Sequence, residues 1–239
     1  MSDIGIFIPT RMGAVRLPNK PMALICGKPM LEHVINRAQE AKIADVVIAS
    51  PDQELVDFAK KLGVNAVLTD ATLKTGTDAV HQAYKKSGKK YKYIVNLQGD
   101  MPMVKTSTIT SVIEALRNSS ADISTAAHLI TDPAEVTNPN VVKAVIGGNG
   151  KGLYFSRTSN FPYGEGDYYH HLGIYAFKEN ALERFVNLPQ SELEKRERLE
   201  QLRALENGMT IEVVKVNDHA IGIDTEADLQ LANSRMAAA

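Results

Sequence analysis

Residues 4–22, IGIFIPTRMGAVRLPNKPM, open as a run of Ile and Phe that reads as a buried strand, IGIFIP, and then fail to continue as a helix. Gly13, Pro18 and Pro21 make a regular helix from 11 to 21 unfavourable, because proline has no N–H to donate and glycine has most backbone entropy to lose. The segment after the strand is therefore a loop, and it carries Arg11, Arg16 and Lys20 at spacings of five and four. Backbone amides and basic side chains in such a loop can fold around a polyanion, the arginines as forks and the lysine as a mobile point charge. A triphosphate is the natural guest; the other reading is a solvated basic loop. The Walker pattern G-x-x-x-x-G-K-[ST] is absent.

Outward from this stretch, Val- and Ile-rich runs alternate with helical patterns. DVVIAS (45–50), NAVLTD (65–70), YIVNLQGD (93–100) and DISTAAHLI (122–130) read as strands. PMLEHVINRAQEAK (29–42), DQELVDFAKKLG (52–63) and GTDAVHQAYKKSG (76–88) place apolar residues at helical spacing. Strand and helix in alternation imply an α/β fold with a mostly parallel sheet covered on both faces, which binds ligands beyond the carboxyl ends of its strands. The basic loop lies there. From about residue 140 the rhythm changes: NVVKAVIGGNGKGLYFSR predicts an antiparallel pair around GGNGKG, HHLGIYAFK (170–178) another strand, and SELEKRERLEQLRALENG (191–208) one long charged helix closed by NG. IEVVKV (211–216) and a helix from TEADLQLANSRM complete the chain. The expectation is a single domain over 1–239, with a nucleotide-binding half over about 1–130 and an antiparallel sub-domain over about 140–220.

Composition narrows the function. With 239 residues, 44% hydrophobic and 23% charged, the chain can bury a substantial core. A net charge of −1, no Trp and 6% aromatic residues supply neither the basic field nor the stacking platform of a nucleic-acid binder. There is no apolar run of membrane-spanning length and no secretory pattern at the N-terminus, so the expectation is a cytoplasmic protein without a membrane partner. The single cysteine, Cys26, is read as a small buried apolar residue rather than a reactive thiol.

The opening stretch resembles the IPARxxSxRLPGKPL signature of sugar-nucleotide transferases. With GKPMLEHVINRA, NLQGDMP, NPNVVKAV, GLYFSR, HHLGIYAF, LEKRERLEQLRALENG and GIDTEADL following in order from residue 4 to about 235, the chain is similar to the 3-deoxy-manno-octulosonate cytidylyltransferases, the CMP-Kdo synthetases. The resemblance implies a Rossmann-like nucleotide-sugar transferase fold, a mostly parallel mixed sheet flanked by helices with an antiparallel sub-domain. It implies an enzyme that transfers CMP from CTP to the 2-hydroxyl of Kdo with Mg2+, for lipopolysaccharide synthesis, as a homodimer.

Under that resemblance Arg11, Arg16 and Lys20 hold the CTP triphosphate, and Arg11, Lys20, Asp100 and Asp224 form the catalytic set. Thr75, Gly76 and Thr77, in TGTD, either recognise a base or sugar edge or merely cap a helix. Asp100 alone would be a turn former, but Asp224 also follows a short apolar run, and two carboxylates from separate strands over one phosphate make a plausible magnesium site. The resemblance places Mg2+ on Asp100 and Asp224; Asp228 is read as a solvated helix residue, with an N-cap as the other role for Asp224. For the sugar acid the resemblance implies Gln98, Asn138, Lys143, Arg157, His171, Tyr175, Glu200 and Gln201. Lys143 reads equally as a surface strand residue and His171 as a buried, satisfied histidine. Metal binding by His170 with His171 is not expected, because adjacent strand residues point to opposite faces.

Three positions depart from the family pattern. Met101 stands where an acidic residue follows the metal Asp, Ala79 where TGTDAV replaces SGTER, and Asn19 where RLPNKP replaces a glycine. Asn tolerates the left-handed conformation, so the last is mild. Ala79 leaves open a different sugar acid, such as 8-amino-Kdo, and Met101 a non-catalytic CTP- or sugar-binding regulator.

Overall fold

IGIFIP forms β1, Ile4–Pro9, buried at every position, as expected of a strand covered on both faces. The computed structural model describes residues 2–13, 16–159 and 166–238, so Ala14 and Val15 of the basic loop lie outside the described residues. Two compact units divide the chain, residues 1–110 with 220–239, and residues 111–219.

In the first unit, β2 (Leu24–Ile25) and β3 (Lys28–Pro29) form a small hairpin, followed by α1 (Met30–Glu40), β4 (Asp45–Ser50), α2 (Gln53–Lys61), β5 (Asn65–Leu68), α3 (Gly76–Ser87) and β6 (Tyr93–Asn96). The strand order β6–β1–β4–β5 is parallel throughout. From β1 the chain builds outward to β4 and β5, then returns to the other side of β1 as β6, so β1 is the topological switch where ligand crevices open. Tyr84 and Tyr91 each pack edge-on to Phe7 and tilted to each other, with centroids 6.1–6.2 Å apart. A side chain at Gly5 would come within 2.8 Å of Phe7 and Tyr91, so this aromatic cluster requires glycine there. A second core joins Leu17, Ile25 and Met30 to Ile223 and Ala232; it anchors the far side of the basic loop to the C-terminal segment.

The hairpin corrects the reading of Cys26. The residue is exposed, because Cys26 and Gly27, with φ of 47° and 80°, form the two-residue turn between β2 and β3. Such turns need positive φ at both central positions. Asn233 holds it there by accepting from the Cys26 amide at 2.8 Å.

α4 (Thr106–Arg117) carries the chain into the second unit, which contains β7 (Ile123–Leu129), α5 (Pro133–Thr137), β8 (Lys143–Ile146), β9 (Gly152–Ser156), β10 (Tyr169–Lys178), α6 (Glu179–Asn187), α7 (Glu192–Glu197), α8 (Gln201–Glu206) and β11 (Ile211–Lys215). β7 pairs parallel with β11 and antiparallel with β10; β8 pairs antiparallel with β10 and with β9. The expected single helix over 191–208 is two short helices. Arg198 between them is left-handed, φ 56°. The break lets Glu194 meet Arg203, nine residues on, in a buried bidentate pair at 2.6 and 2.8 Å, which one straight helix could not bring together. The last helix, Glu226–Ala237, is α9 and returns to the first unit.

Candidate active site

The ends of β1, β4 and β6 and the loop after β5 enclose a cavity of about 400 Å3 in the first unit. The sheet places it at the carboxyl ends of the parallel strands, and three close approaches shape it. A Cβ on Gly99 would lie 3.0 Å from the Pro9 carbonyl, and one on Gly76 3.2 Å from the Pro9 ring. Asp52 accepts from the Met12 amide at 2.8 Å and fixes the start of the basic loop. Asn19 adopts φ 56°, the left-handed conformation that its type tolerates, and turns the loop so that Lys20 faces inward.

Arg11, Arg16, Lys20, Thr75, Gly76, Gln98, Asp100 and Asp224 all line this cavity. Lys20 Nζ lies 2.6 Å from Asp100 Oδ2 and 3.0 Å from Asp224 Oδ1, and Arg16 Nη2 lies 2.8 Å from the other oxygen of Asp224. The two carboxylates meet because the Ile223 amide donates to the Asp100 carbonyl at 3.0 Å, clipping the C-terminal segment to the end of β6's turn. Burial alone would lower the Lys20 pKa, but the charges and hydrogen bonds of Asp100 and Asp224 outweigh it and hold the ammonium above its ordinary value. Lys20 is thus a permanent cation at neutral pH.

Asp224 is not the cap of α9. Thr225 is, in a capping box with Asp228, whose carboxylate accepts from the Thr225 amide and hydroxyl and from the Asp224 amide. This corrects the reading of Asp228 as merely solvated and leaves both oxygens of Asp224 for the cavity. Thr75 likewise caps α3 in a box with Asp78. Thr77 is fully buried and accepts from the Asn96 amide at 3.1 Å, while Asn96 accepts from the Gln98 amide at 2.8 Å. That relay fixes the orientation of Gln98 at the cavity wall. Sequence reasoning passed over Asn96, and also Thr69, a cavity-lining residue whose buried hydroxyl has no partner among the described residues. The only signal for either is a polar residue at the end of an apolar strand. Met101 is 2% exposed and buried in the core, whereas Ala79 lines the cavity.

The remaining candidates lie in the second unit. Lys143 is 1% exposed and gives its ammonium to the carbonyls of Asn138, Val141 and Arg157 at 2.8–3.0 Å. Burial, then the charge of Arg157, pushes its pKa down. Arg157 bonds to the carbonyls of Glu197 and Pro139, and its amide to the Glu197 carboxylate. Glu197, absent from the sequence reading, also accepts from Tyr154 and Ser156. His171 and Tyr175 are buried with rings 5.4 Å apart, on one face despite a bulge between Leu172 and Tyr175. Thr125 fills the bulge: its hydroxyl lies 2.7 Å from the Ile174 carbonyl and 2.9 Å from His171 Nε2. With one proton to give, it donates to the carbonyl and accepts from Nε2–H. Burial pushes the His171 pKa down to about 3, so the ring is neutral, and it raises that of Tyr175. Glu200 is the N-cap of α8, and Gln201, its first residue, keeps a buried amide nitrogen without a partner among the described residues. Separately, His128, Glu135 and His170 offer ligand atoms within 4.8 Å of one another, a set able to hold a divalent cation.

Residues 5–211 match the cytidylyltransferase family model. A 3-deoxy-manno-octulosonate cytidylyltransferase of Parvibaculum lavamentivorans is 48% identical, over 97% of this chain and 92% of its own. The enzyme of that name from Brucella canis is 47% identical over 95% and 93%. Among solved structures, a CMP:2-keto-3-deoxy-manno-octonic acid synthetase complexed with CTP superposes with a TM-score of 0.92 at 34% identity, covering 99% of both chains. Relatives this similar extend over nearly the whole chain, the Rossmann-like sheet with its switch-strand cavity included: the chain belongs to the 3-deoxy-manno-octulosonate cytidylyltransferase family.

Proposed function

We propose that the chain transfers CMP from CTP to the 2-hydroxyl of Kdo, releasing pyrophosphate. In this step the sugar oxygen bonds to the α-phosphorus, the bond from that phosphorus to the bridging oxygen breaks with its electrons going to pyrophosphate, and the hydroxyl proton passes to solvent. The observation that carries the reading is the convergence of Lys20, Arg16, Asp100 and Asp224 in one cavity at the carboxyl end of the switch strand.

The residues divide the work. Arg11, Arg16 and Lys20 neutralise the triphosphate and the charge that develops on departing pyrophosphate. Thr75 and Gly76 bound the nucleotide side, where the Thr69 hydroxyl, without a partner among the described residues, supplies a further hydrogen bond; Thr77, buried behind them, acts only by holding Asn96. Asp100 and Asp224 fit Mg2+: both are hard oxygen donors, and their carboxylates already converge on one cation, the Lys20 ammonium. When bound there, Mg2+ would supply charge stabilisation at the phosphates. Gln98, held by Asn96, faces the reacting sugar. In the second unit, Asn138, Arg157, Tyr175, Glu200 and Gln201 are the candidates for the sugar acid, the Gln201 amide nitrogen having no partner among the described residues, while His171, buried and bonded to Thr125, serves the fold. All three donors of Lys143 are occupied by carbonyls, so its part is to position Asn138 and Arg157.

The test is pyrophosphate release by purified protein given CTP, Kdo and Mg2+; release that proceeds without Kdo, or fails with all three, rejects the reading. Ala79 in the cavity wall favours one variation, a different sugar acid such as 8-amino-Kdo, decided by competing the two acids for limiting enzyme. The burial of Met101 in the core, away from the cavity, removes the reason for a non-catalytic reading. In the same reading the enzyme is a cytoplasmic homodimer, which sedimentation would show as twice the 26.1 kDa chain mass.

A further inference from the structure

We propose that His128, Glu135 and His170 form a second cation site, selective for a transition-metal dication of the zinc class, that fastens α5 to the sheet of the second unit. His170 and His128 are direct partners across the antiparallel β10–β7 pair, so both side chains rise from one face. Their ring centroids are 5.0 Å apart. Glu135 reaches over from α5, its Oε2 3.8 Å from His170 Nδ1.

Three further features suit a metal. His128 Nδ1 lies 3.0 Å from the Leu129 carbonyl, so Nδ1 carries the proton and Nε2 keeps its lone pair, the arrangement that outer-shell carbonyls impose on metal-binding imidazoles. The His170 ring has no hydrogen bond among the described residues although its side chain is only 16% exposed, and 3.8 Å is too long for one to Glu135. The exposed His219 lies edge-on to His128 at 4.4 Å, at the open side of the cluster. Burial holds both His128 and His170 below their ordinary pKa, His170 at about 4, so their lone pairs are free at neutral pH. Asp218 near His128 favours a cation here, and Lys143 near His170 opposes it.

Ligand atoms bound at about 2.0–2.2 Å to one tetrahedral ion lie roughly 3.4 Å apart, so a cluster whose ligand atoms lie within 4.8 Å of one another must contract by up to about 1.4 Å. The partly exposed Glu135 can make that move. Two imidazoles with one carboxylate suit zinc-class ions and disfavour Mg2+, which takes oxygen ligands. The consequence is mechanical: the residue that follows and caps α5 is Asn138, whose carbonyl Lys143 already holds. A bound ion would fix the segment at its other end.

The experiment titrates Co2+ into chelator-treated protein in excess Mg2+, following visible absorption, with Zn2+ then added during hydrogen exchange. One equivalent of Co2+ should give a saturable spectrum that Mg2+ does not displace, weakened at least tenfold in His170→Gln and in Glu135→Gln. Zn2+ should slow exchange over residues 132–139. No saturable spectrum, its displacement by Mg2+, or its survival in Glu135→Gln overturns the proposal. Glu135 is partly exposed on a surface helix, so that variant decides the matter even if His170→Gln fails to fold.

Discussion

Replacing Lys143 by methionine separates a substrate-binding lysine from a structural one. The ammonium is buried against three backbone carbonyls, of Asn138, Val141 and Arg157. Methionine fills the same space but donates nothing. The carbonyls of Asn138 and Arg157 are bonded at partly buried positions and can turn to water, whereas the bond to Val141 is fully buried, so one acceptor is left orphaned at about 1–3 kcal/mol. Adding the two charge-assisted bonds exchanged for water, and subtracting the relieved burial of the ammonium, gives a loss of about 3 kcal/mol. For a chain of this length that lowers the melting temperature by about 6–12 °C. Thermal unfolding of wild type and Lys143→Met, with sugar and CTP Michaelis constants measured well below both transitions, reads the two effects apart. A melting temperature within about 2 °C of wild type, with a sugar Michaelis constant raised at least tenfold, would refute the reasoning and put the ammonium on the substrate.

The buried pair of Glu194 and Arg203, with the guanidinium also 4.9 Å from the Phe185 ring, predicts that Glu194→Gln destabilises by about 3–5 kcal/mol and that the double change with Arg203→Met restores part of it; urea denaturation measures both. Asn96→Ala should lower turnover through a disordered Gln98 while leaving CTP affinity within about threefold of wild type; a larger loss of CTP affinity would place Asn96 on the nucleotide. Hydrogen bonds from Lys89 and Tyr91 hold the Asp45 carboxyl below its ordinary pKa. Its contribution is therefore present above about pH 4 and lost as pH falls through the lower folded-state value, so acid unfolding of Tyr91→Phe should show a shallower pH dependence than wild type.

The parallel sheet of the first unit was legible because its strands are continuous apolar runs and its helices keep a 3.6-residue period. The polar ends of those runs were less so: Thr69–Asp70 and Leu97–Asp100 extended the expected strands, yet they turn out of the sheet into the cavity wall. Arg11, Arg16, Lys20, Asp100 and Asp224 could be brought together only through the family resemblance, since 204 residues separate Lys20 from Asp224 and a backbone bond from Ile223 to Asp100 closes that distance. The helix expected over 191–208 failed at Arg198, where a tertiary ion pair overrides good helical spacing. Cys26 was misplaced because hydrophobicity says nothing of a two-residue turn. The His128–His170 pairing depends on strand register, which no local pattern in HHLGIY reveals.

The most direct test of the central claim measures single-turnover pyrophosphate release and equilibrium CTP binding for wild type and Asp100→Asn, each with CTP, Kdo and Mg2+. Asp100 is held to act on the reacting phosphate, so the account predicts a rate lowered by about 100-fold or more in a protein that folds and melts as wild type does. A variant that releases pyrophosphate at the wild-type rate would contradict it and remove the Asp100–Asp224 pair from the chemistry.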